Sequence, residues 1–155
     1  MGKFVIKEVH SIKDVGKLSN IIYKNFIYLT SKPELQHNKE ELTRLLTDEN
    51  MLTYFVYEND KAVAYLVGEI KNLNDGRTAF YISYIFVAQK YRSKHIGSLL
   101  LKHVVKSIQS TGIKYILLTS DTADEKLSHF YEKFGFTIDP ILRNNSRHEV
   151  FVLYL

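Results

Sequence analysis

The apolar residues change period once in the second half of this 155-residue chain, and that change limits the folds open to it. Between residues 52 and 87 the pattern is that of strands. "LTYFVYE" and "KAVAYLVGEI" flank Asn59-Asp60, and "TAFYISYIFV" follows the turn "NLNDGR". Two β-rich runs around a two-residue Asn-Asp connection predict a hairpin, and the third run extends it to an antiparallel meander. From Ile96 onward the period is helical. Ile96, Leu99, Leu100, Val104, Val105 and Ile108 share one face, with Gly112 as the stop. "KYILLTS" is then a short, apolar strand. Strand, helix and strand in succession predict a parallel crossover.

The flanking segments fit the same architecture. "KFVIKEV" reads as an opening strand. Ser11 and Asp14 give a start signal for a helix through "IKDVGKLSNIIYKNF", with Leu18, Ile21, Ile22, Phe26 and Leu29 at helical spacing. A second helix is predicted over "KEELTRLLTD", opened by Asn38. Thr122 and Glu125 read as a capping box for "TADEKLSHFYEKFGF", in which Leu127, Phe130, Tyr131 and Phe134 form the apolar face and Gly135 ends the helix. "FTIDPIL" and "HEVFVLYL" close the chain as strands. The expectation is a mixed α/β domain over residues 1–155, with about seven strands in a mixed, mostly antiparallel sheet and about four helices. A chain of this length suits one domain and buries roughly 70% of the surface it would expose unfolded.

Composition narrows the chemistry. There is no cysteine, so no disulfide, thiolate nucleophile or Cys-ligated metal is available. The six histidines form no H-x-x-x-H or H-E-x-x-H pattern, and no metal site is expected. No G-x-S-x-G marks a serine hydrolase. "MGKFVIKEV" lacks a signal-peptide core, Ile6 stands where a myristoylation signal wants Ser or Thr, and no apolar run reaches membrane-spanning length. A cytoplasmic protein without a membrane partner, monomeric or homodimeric, is expected. The net charge of +4 suits an anionic ligand, which composition alone leaves as nucleic acid or a phosphate-bearing small molecule.

The junction "VAQKYRSKHIGSLLL" carries the strongest chemical signal. The first N–H groups of a helix have no partner within it, and the helix dipole adds positive charge there. Lys90, Arg92 and Lys94 add full charges, and Gly97 permits close approach of backbone to a ligand. A pyrophosphate fits such a cradle. Neither the Walker A pattern nor G-x-G-x-x-G is present. On spacing alone the turn reads first as a basic, solvated connection with a packing glycine.

"ISYIFVAQKYRSKHIGSLLLKHV" resembles motif A of the GNAT superfamily of acetyl-CoA-dependent N-acetyltransferases, [QR]-x-x-G-x-[GA] between a strand and a long helix. Here that motif is Arg92-Ser93-Lys94-His95-Ile96-Gly97, with His95 in place of the first glycine. "LSHFYEKFGF" is similar to the family's motif B. The resemblance implies acetyl-CoA as cosubstrate. Its pyrophosphate would be bound by Arg92, Ser93, Lys94, His95, Ile96, Gly97 and Ser98, and its pantetheine arm and acyl carbonyl by the backbone at Phe86 and Val87. Tyr131 matches the family's general acid. A phenol of pKa about 10 remains a donor at neutral pH, as protonation of a departing thiolate requires. Asp124 stands where the family often has a pantetheine-binding Asn.

The general base is not marked by any motif. "FYISYIFV" contains no carboxylate, and Glu69 is the nearest candidate by sequence, with Ser83, Tyr84 and His129 as residues to order a water. The expected function is acetyl transfer to a primary amine by direct attack, with the acceptor unspecified. Two alternatives stand beside it. One is a non-catalytic acyl-CoA-binding module of the same fold. The other is an RNA-binding domain, suggested by a faint echo of the RNP1 signature in "KFGFTI", although the helical spacing of Phe130, Tyr131 and Phe134 speaks against a strand there. No nucleic-acid partner is therefore expected.

Overall fold

The computed structural model describes residues 4–9, 51–59, 61–92 and 94–155. The helices predicted over "IKDVGKLSNIIYKNF" and "KEELTRLLTD" lie outside the described residues. Within them, seven strands are present: β1 (Phe4–Val9), β2 (Met51–Glu58), β3 (Lys61–Asn72), β4 (Thr78–Val87), β5 (Tyr115–Asp121), β6 (Thr137–Ile138) and β7 (His148–Tyr154). Two α-helices accompany them, α1 (Ile96–Gln109) and α2 (Glu125–Phe134), with a 3-10 turn at Gln89–Tyr91. The strand order is β1-β2-β3-β4-β5-β7-β6. β4 and β5 pair in parallel, while β1–β2, β5–β7 and β6–β7 are antiparallel. The expected mixed, mostly antiparallel sheet is thus present. Among the described residues no helix is long and apolar enough to cross a membrane.

The turn residues explain the meander. Asn59, with φ 55°, takes the left-handed conformation that a tight hairpin needs and that Asn tolerates. The connection from β3 to β4 closes through Leu73 N–H to Arg77 O (2.7 Å) and Gly76 N–H to Leu73 O (3.1 Å), with Gly76 at φ 91°. Gly68 on β3 is a different case, because there the constraint is space. A Cβ at this position would lie 2.3 Å from Phe80 Cζ and 2.8 Å from the Tyr81 carbonyl oxygen, so β4 needs a glycine beside it.

The chain forms two compact units, and β3, β4 and α1 contribute residues to both. The first holds the described residues up to Val67 together with Ile85–Leu100. Its core is Tyr54, Phe55, Val56 and Val63–Val67, with Ile96 and Leu100 from the first turn of α1. Tyr91 is buried in the same unit, its hydroxyl donating to Glu58 Oε1 (2.8 Å) and its ring edge-on to Phe4. This contact anchors the 3-10 turn to the strands.

The second unit holds Gly68–Tyr84 and Leu101–Leu155. Leu101, Val104 and Ile108 bury the inner face of α1 there, with Ile116–Leu118, Phe136 and Val150–Val152. The buried stripe of α1 is therefore 96, 100, 101, 104 and 108. Leu99, assigned to that face by periodicity, is 42% exposed, and Leu101 takes its place. The stripe is rotated slightly because a run of three leucines satisfies more than one choice of face.

A buried ion pair ties the C-terminal loop to the β3–β4 turn. Arg77 donates Nη1 and Nη2 to the two oxygens of Asp139 (2.8 and 2.9 Å) and engages Asp75 with Nε and Nη2 (3.1 and 2.7 Å). The Asp139 side chain is fully buried and also accepts from the Leu142 amide (2.8 Å). The Arg77 guanidinium holds the Asp139 carboxyl below the usual carboxylate range. Removing Arg77 would leave an uncompensated charge, so Arg77→Ala is expected to destabilise the fold by about 3 kcal/mol or more in urea denaturation. Because the folded-state value of Asp139 is depressed, its contribution is present above the ordinary carboxylate range and lost as pH falls through the folded value. The variant's urea midpoint should therefore change less than that of the parent chain below about pH 4.

Candidate functional site

The strand β4 ends by handing its backbone to an anion-shaped turn. Ala88 N–H donates to Val63 O on β3 (2.9 Å). Strand alternation then turns the main-chain groups of the preceding residue, Val87, away from β3. The Val87 carbonyl accepts from Arg92 Nε (3.0 Å), and its N–H remains on the same outer edge as a donor. The Phe86 ring packs against Tyr65, with centroids 5.3 Å apart. The 3-10 turn follows, closed by Tyr91 N–H to Ala88 O (2.8 Å) and Arg92 N–H to Gln89 O (3.2 Å).

His95 caps the start of α1. Its carbonyl accepts from Leu99 N–H (3.0 Å), which is the first amide satisfied by the helix. The amides of Ile96, Gly97 and Ser98 precede it and have no acceptor within α1. No acidic residue stands in the first turn to offset the dipole. Lys90, Arg92, Lys94 and His95 are all exposed around this point. The ammonium groups of Lys90 and Lys94 lie 5.9 and 5.5 Å from the Tyr91 ring centroid, so the buried ring sits among cations. Ser93 lies outside the described residues. Three successive main-chain donors with full positive charges beside them are a donor set suited to a phosphate or pyrophosphate.

His95 adopts φ 62°, the left-handed region that a glycine takes without strain. The Cβ at this position is accommodated by pointing the imidazole into solvent. The turn's geometry is thus retained with a residue that disfavours it. His95→Gly is expected to raise stability by about 1 kcal/mol in chemical denaturation, since relief of the left-handed strain outweighs the added entropy of the unfolded glycine.

The other predicted residues lie in the second unit. Asp124, not Thr122, is the N-cap of α2: its Oδ1 accepts from Leu127 N–H (3.1 Å). The Thr122 hydroxyl and amide both donate to Arg147 O (each 2.7 Å), so the expected Thr122–Glu125 capping box does not form. Asp closest to the helix start wins because its short side chain reaches the third amide directly. Gly135, at φ 124°, closes α2 as expected, its N–H shared between the Tyr131 and Glu132 carbonyls (3.1 Å each). Tyr131 is 4% exposed, with its ring edge-on to Phe130 and Phe136 (5.4 and 5.6 Å). Burial first, and the Asp124 charge second, push its phenol up to about 12. Leu127, assigned to the same apolar face, is 38% exposed. Phe136, the last aromatic of "KFGFTI", is buried and offers no face for base stacking.

Glu69 lies on β3, its Oε1 3.0 Å from Lys71 Nζ. Two hydroxyls that the sequence reading did not single out meet nearby in the chain's register. Tyr81 on β4 and Thr119 on β5 are joined by a 2.6 Å hydrogen bond. The parallel ladder runs from Ala79–Tyr115 to Ile82–Leu118 and stops, while β4 continues to Val87 and β5 to Asp121. Ser120 Oγ, buried on β5 just past the last rung, has no hydrogen-bond partner among the described residues. Polar residues interrupting an apolar strand are the signal that marks such positions. A cavity of about 380 Å³ lined by Gly76, Arg77, Thr78 and Thr111–Tyr115 lies at the starting ends of β4 and β5, where Arg77 is already committed to its aspartates. No group of three or more acidic, His or Cys side chains suited to a metal occurs among the described residues.

The family model described as Acetyltransferase (GNAT) family matches residues 17–136. The chain belongs to the GNAT acetyltransferase family, a class of acyltransferase enzymes. No curated protein matches at a significant level. Among solved structures, an acetyltransferase of the GNAT family from Streptococcus pneumoniae is 20% identical, with 99% of this chain and 100% of that chain covered and a TM-score of 0.73. Naa50 from Arabidopsis thaliana, in complex with the bisubstrate analogue CoA-Ac-MVNAL, is 24% identical over 98% and 99% of the two chains, with a TM-score of 0.71. The PaiA N-acetyltransferase from Thermoplasma acidophilum, in complex with coenzyme A, is 16% identical over 99% of each chain, with a TM-score of 0.73. At these identities the likeness is one of fold.

Proposed function

We propose that this protein transfers an acetyl group from acetyl-CoA to a primary amine by direct attack in a ternary complex. The observation that carries the reading is the turn after β4, where the Val87 main chain faces away from β3 and is followed by three amides that have no acceptor within α1, in a cluster of exposed cations. This donor set fits the cosubstrate of the family. The amides of Ile96, Gly97 and Ser98 hold the pyrophosphate, and Arg92 and Lys94 neutralise it. Arg92 is steadied for this by its bond to the Val87 carbonyl. The backbone of β4 at Val87 pairs with the pantetheine arm as a further strand would. Complexes of coenzyme A with the Thermoplasma protein and of a CoA-peptide analogue with Naa50 support the same ligand class here.

Acetyl-CoA supplies an activated acyl group as a thioester. In the transfer the amine nitrogen forms a C–N bond, the C–S bond breaks, one proton leaves the amine and one reaches the departing thiolate. In this reading Tyr131 supplies the second proton. Its ring is buried and its O–H stays protonated because the phenolate would be poorly solvated. The absence of cysteine leaves no thiol for an acyl-enzyme, which favours direct attack.

Tyr131→Phe keeps the ring packing and removes the donor. It is expected to lower kcat on the order of a hundredfold or more, with CoA affinity by calorimetry unchanged. Equal losses in both would assign Tyr131 to binding. The sign of the pH effect is also fixed. With a phenol raised to about 12, the donor form persists through the range in which an alkylammonium, at about 10.4, loses its proton. The rate should therefore climb towards pH 10 with no descending limb from Tyr131.

A further inference from the structure

Lys71 on β3 is held in two ways at once. Its Nζ lies 3.0 Å from Glu69 Oε1 and 4.7 Å from the centroid of the Tyr81 ring. A carboxylate at hydrogen-bond distance and the face of an aromatic ring are the two elements that together bind an alkylammonium. The geometry is that of a small cation box with a lysine side chain as its occupant.

The walls of the box are more firmly placed than the occupant. The Tyr81 hydroxyl is bonded to Thr119 Oγ1 (2.6 Å), which fixes the ring across two strands. The Glu69 side chain is 20% exposed, whereas that of Lys71 is 44% exposed. An exposed lysine in a single-carboxylate pair is held weakly, so another ammonium that brings additional contacts can displace it. Position adds a second argument. Tyr81 stands one residue before the last rung of the β4–β5 ladder and Thr119 one residue after it. The box therefore lies beside the point where the β4–β5 pairing stops and the two strands continue without each other.

We propose that Glu69 and Tyr81 form the ammonium subsite for the acceptor, and that Lys71 is a built-in occupant which the incoming amine displaces. The acceptor class is a primary ammonium on an unbranched alkyl chain, as carried by a lysyl side chain or a polyamine, because Lys71 shows that such a chain fits. This use of the box rests on the acetyltransferase reading, and the binding of the ammonium does not. Glu69 gains a positioning role here that is separate from proton removal.

Calorimetry with Nα-acetyl-lysine amide, spermidine and the uncharged Nα-acetyl-norleucine amide tests this on the parent chain, Lys71→Met and Lys71→Met/Glu69→Gln. Lys71→Met should bind at least one cationic probe about fivefold more tightly than the parent chain, and the double variant should lose the gain. The norleucine probe should bind none of the three. Which cationic probe gains distinguishes a peptidyl lysine from a polyamine. The proposal is overturned if neither probe gains in Lys71→Met, or if the double variant keeps the gain. Coenzyme A titrated into the same samples reports on the acetyltransferase reading separately: its failure to bind would remove that reading and leave the ammonium result standing.

Discussion

A strand whose next neighbour in sequence lies parallel to it cannot be followed by a tight turn. The chain leaving β4 must cross over through a helix before β5 can pair with it, and α1 is that helix. Everything that recommends this protein as an acyltransferase follows from the crossover. It requires a helix start beside a strand end, and a helix start exposes amides that nothing within the helix can satisfy. The chain surrounds them with Lys90, Arg92 and Lys94 and places no acid in the first turn. Such a concentration of positive charge repels itself, and a polyphosphate is the natural complement.

The same junction shows how stability and binding are divided. Leu100 and Ile96 bury the first turn of α1, and Tyr91 anchors the preceding turn through Glu58. The residues between them remain exposed, and His95 is held at φ 62° in spite of its Cβ. Strain at one residue persists because packing on either side of it over-determines the backbone. In the second unit the division recurs at Tyr131, whose ring belongs to the core while its phenol is kept protonated by that burial.

The sequence made β1 to β5 and β7, the Asn59 hairpin and the stops at Gly112 and Gly135 legible, because each has a local cause: period, turn chemistry or a glycine at positive φ; of the strand expected over "FTIDPIL" only Thr137–Ile138 forms. The turn before α1 carried the motif resemblance that named the family, and the family comparison confirms that family. What could not be read depends on how elements meet. The exchange of Leu99 for Leu101 in the buried face turns on a small rotation of α1, which three consecutive leucines do not encode. Thr122 looked like a cap until the loop before β7 took its hydroxyl. Tyr81 and Thr119 stand 38 residues apart, and Arg77 and Asp139 stand 62 apart, so only sheet register and loop packing bring them together. The contacts around Tyr81 are of this second kind, and no local pattern in the sequence marks them.

The central claim is that the amides after β4 bind the pyrophosphate of coenzyme A. Titrating coenzyme A into ¹⁵N-labelled protein and following the amide resonances tests it most directly. The account predicts saturable shifts, largest at Ile96, Gly97, Ser98 and Val87. Saturable binding that leaves these four amides unmoved, or no binding at all, would contradict it.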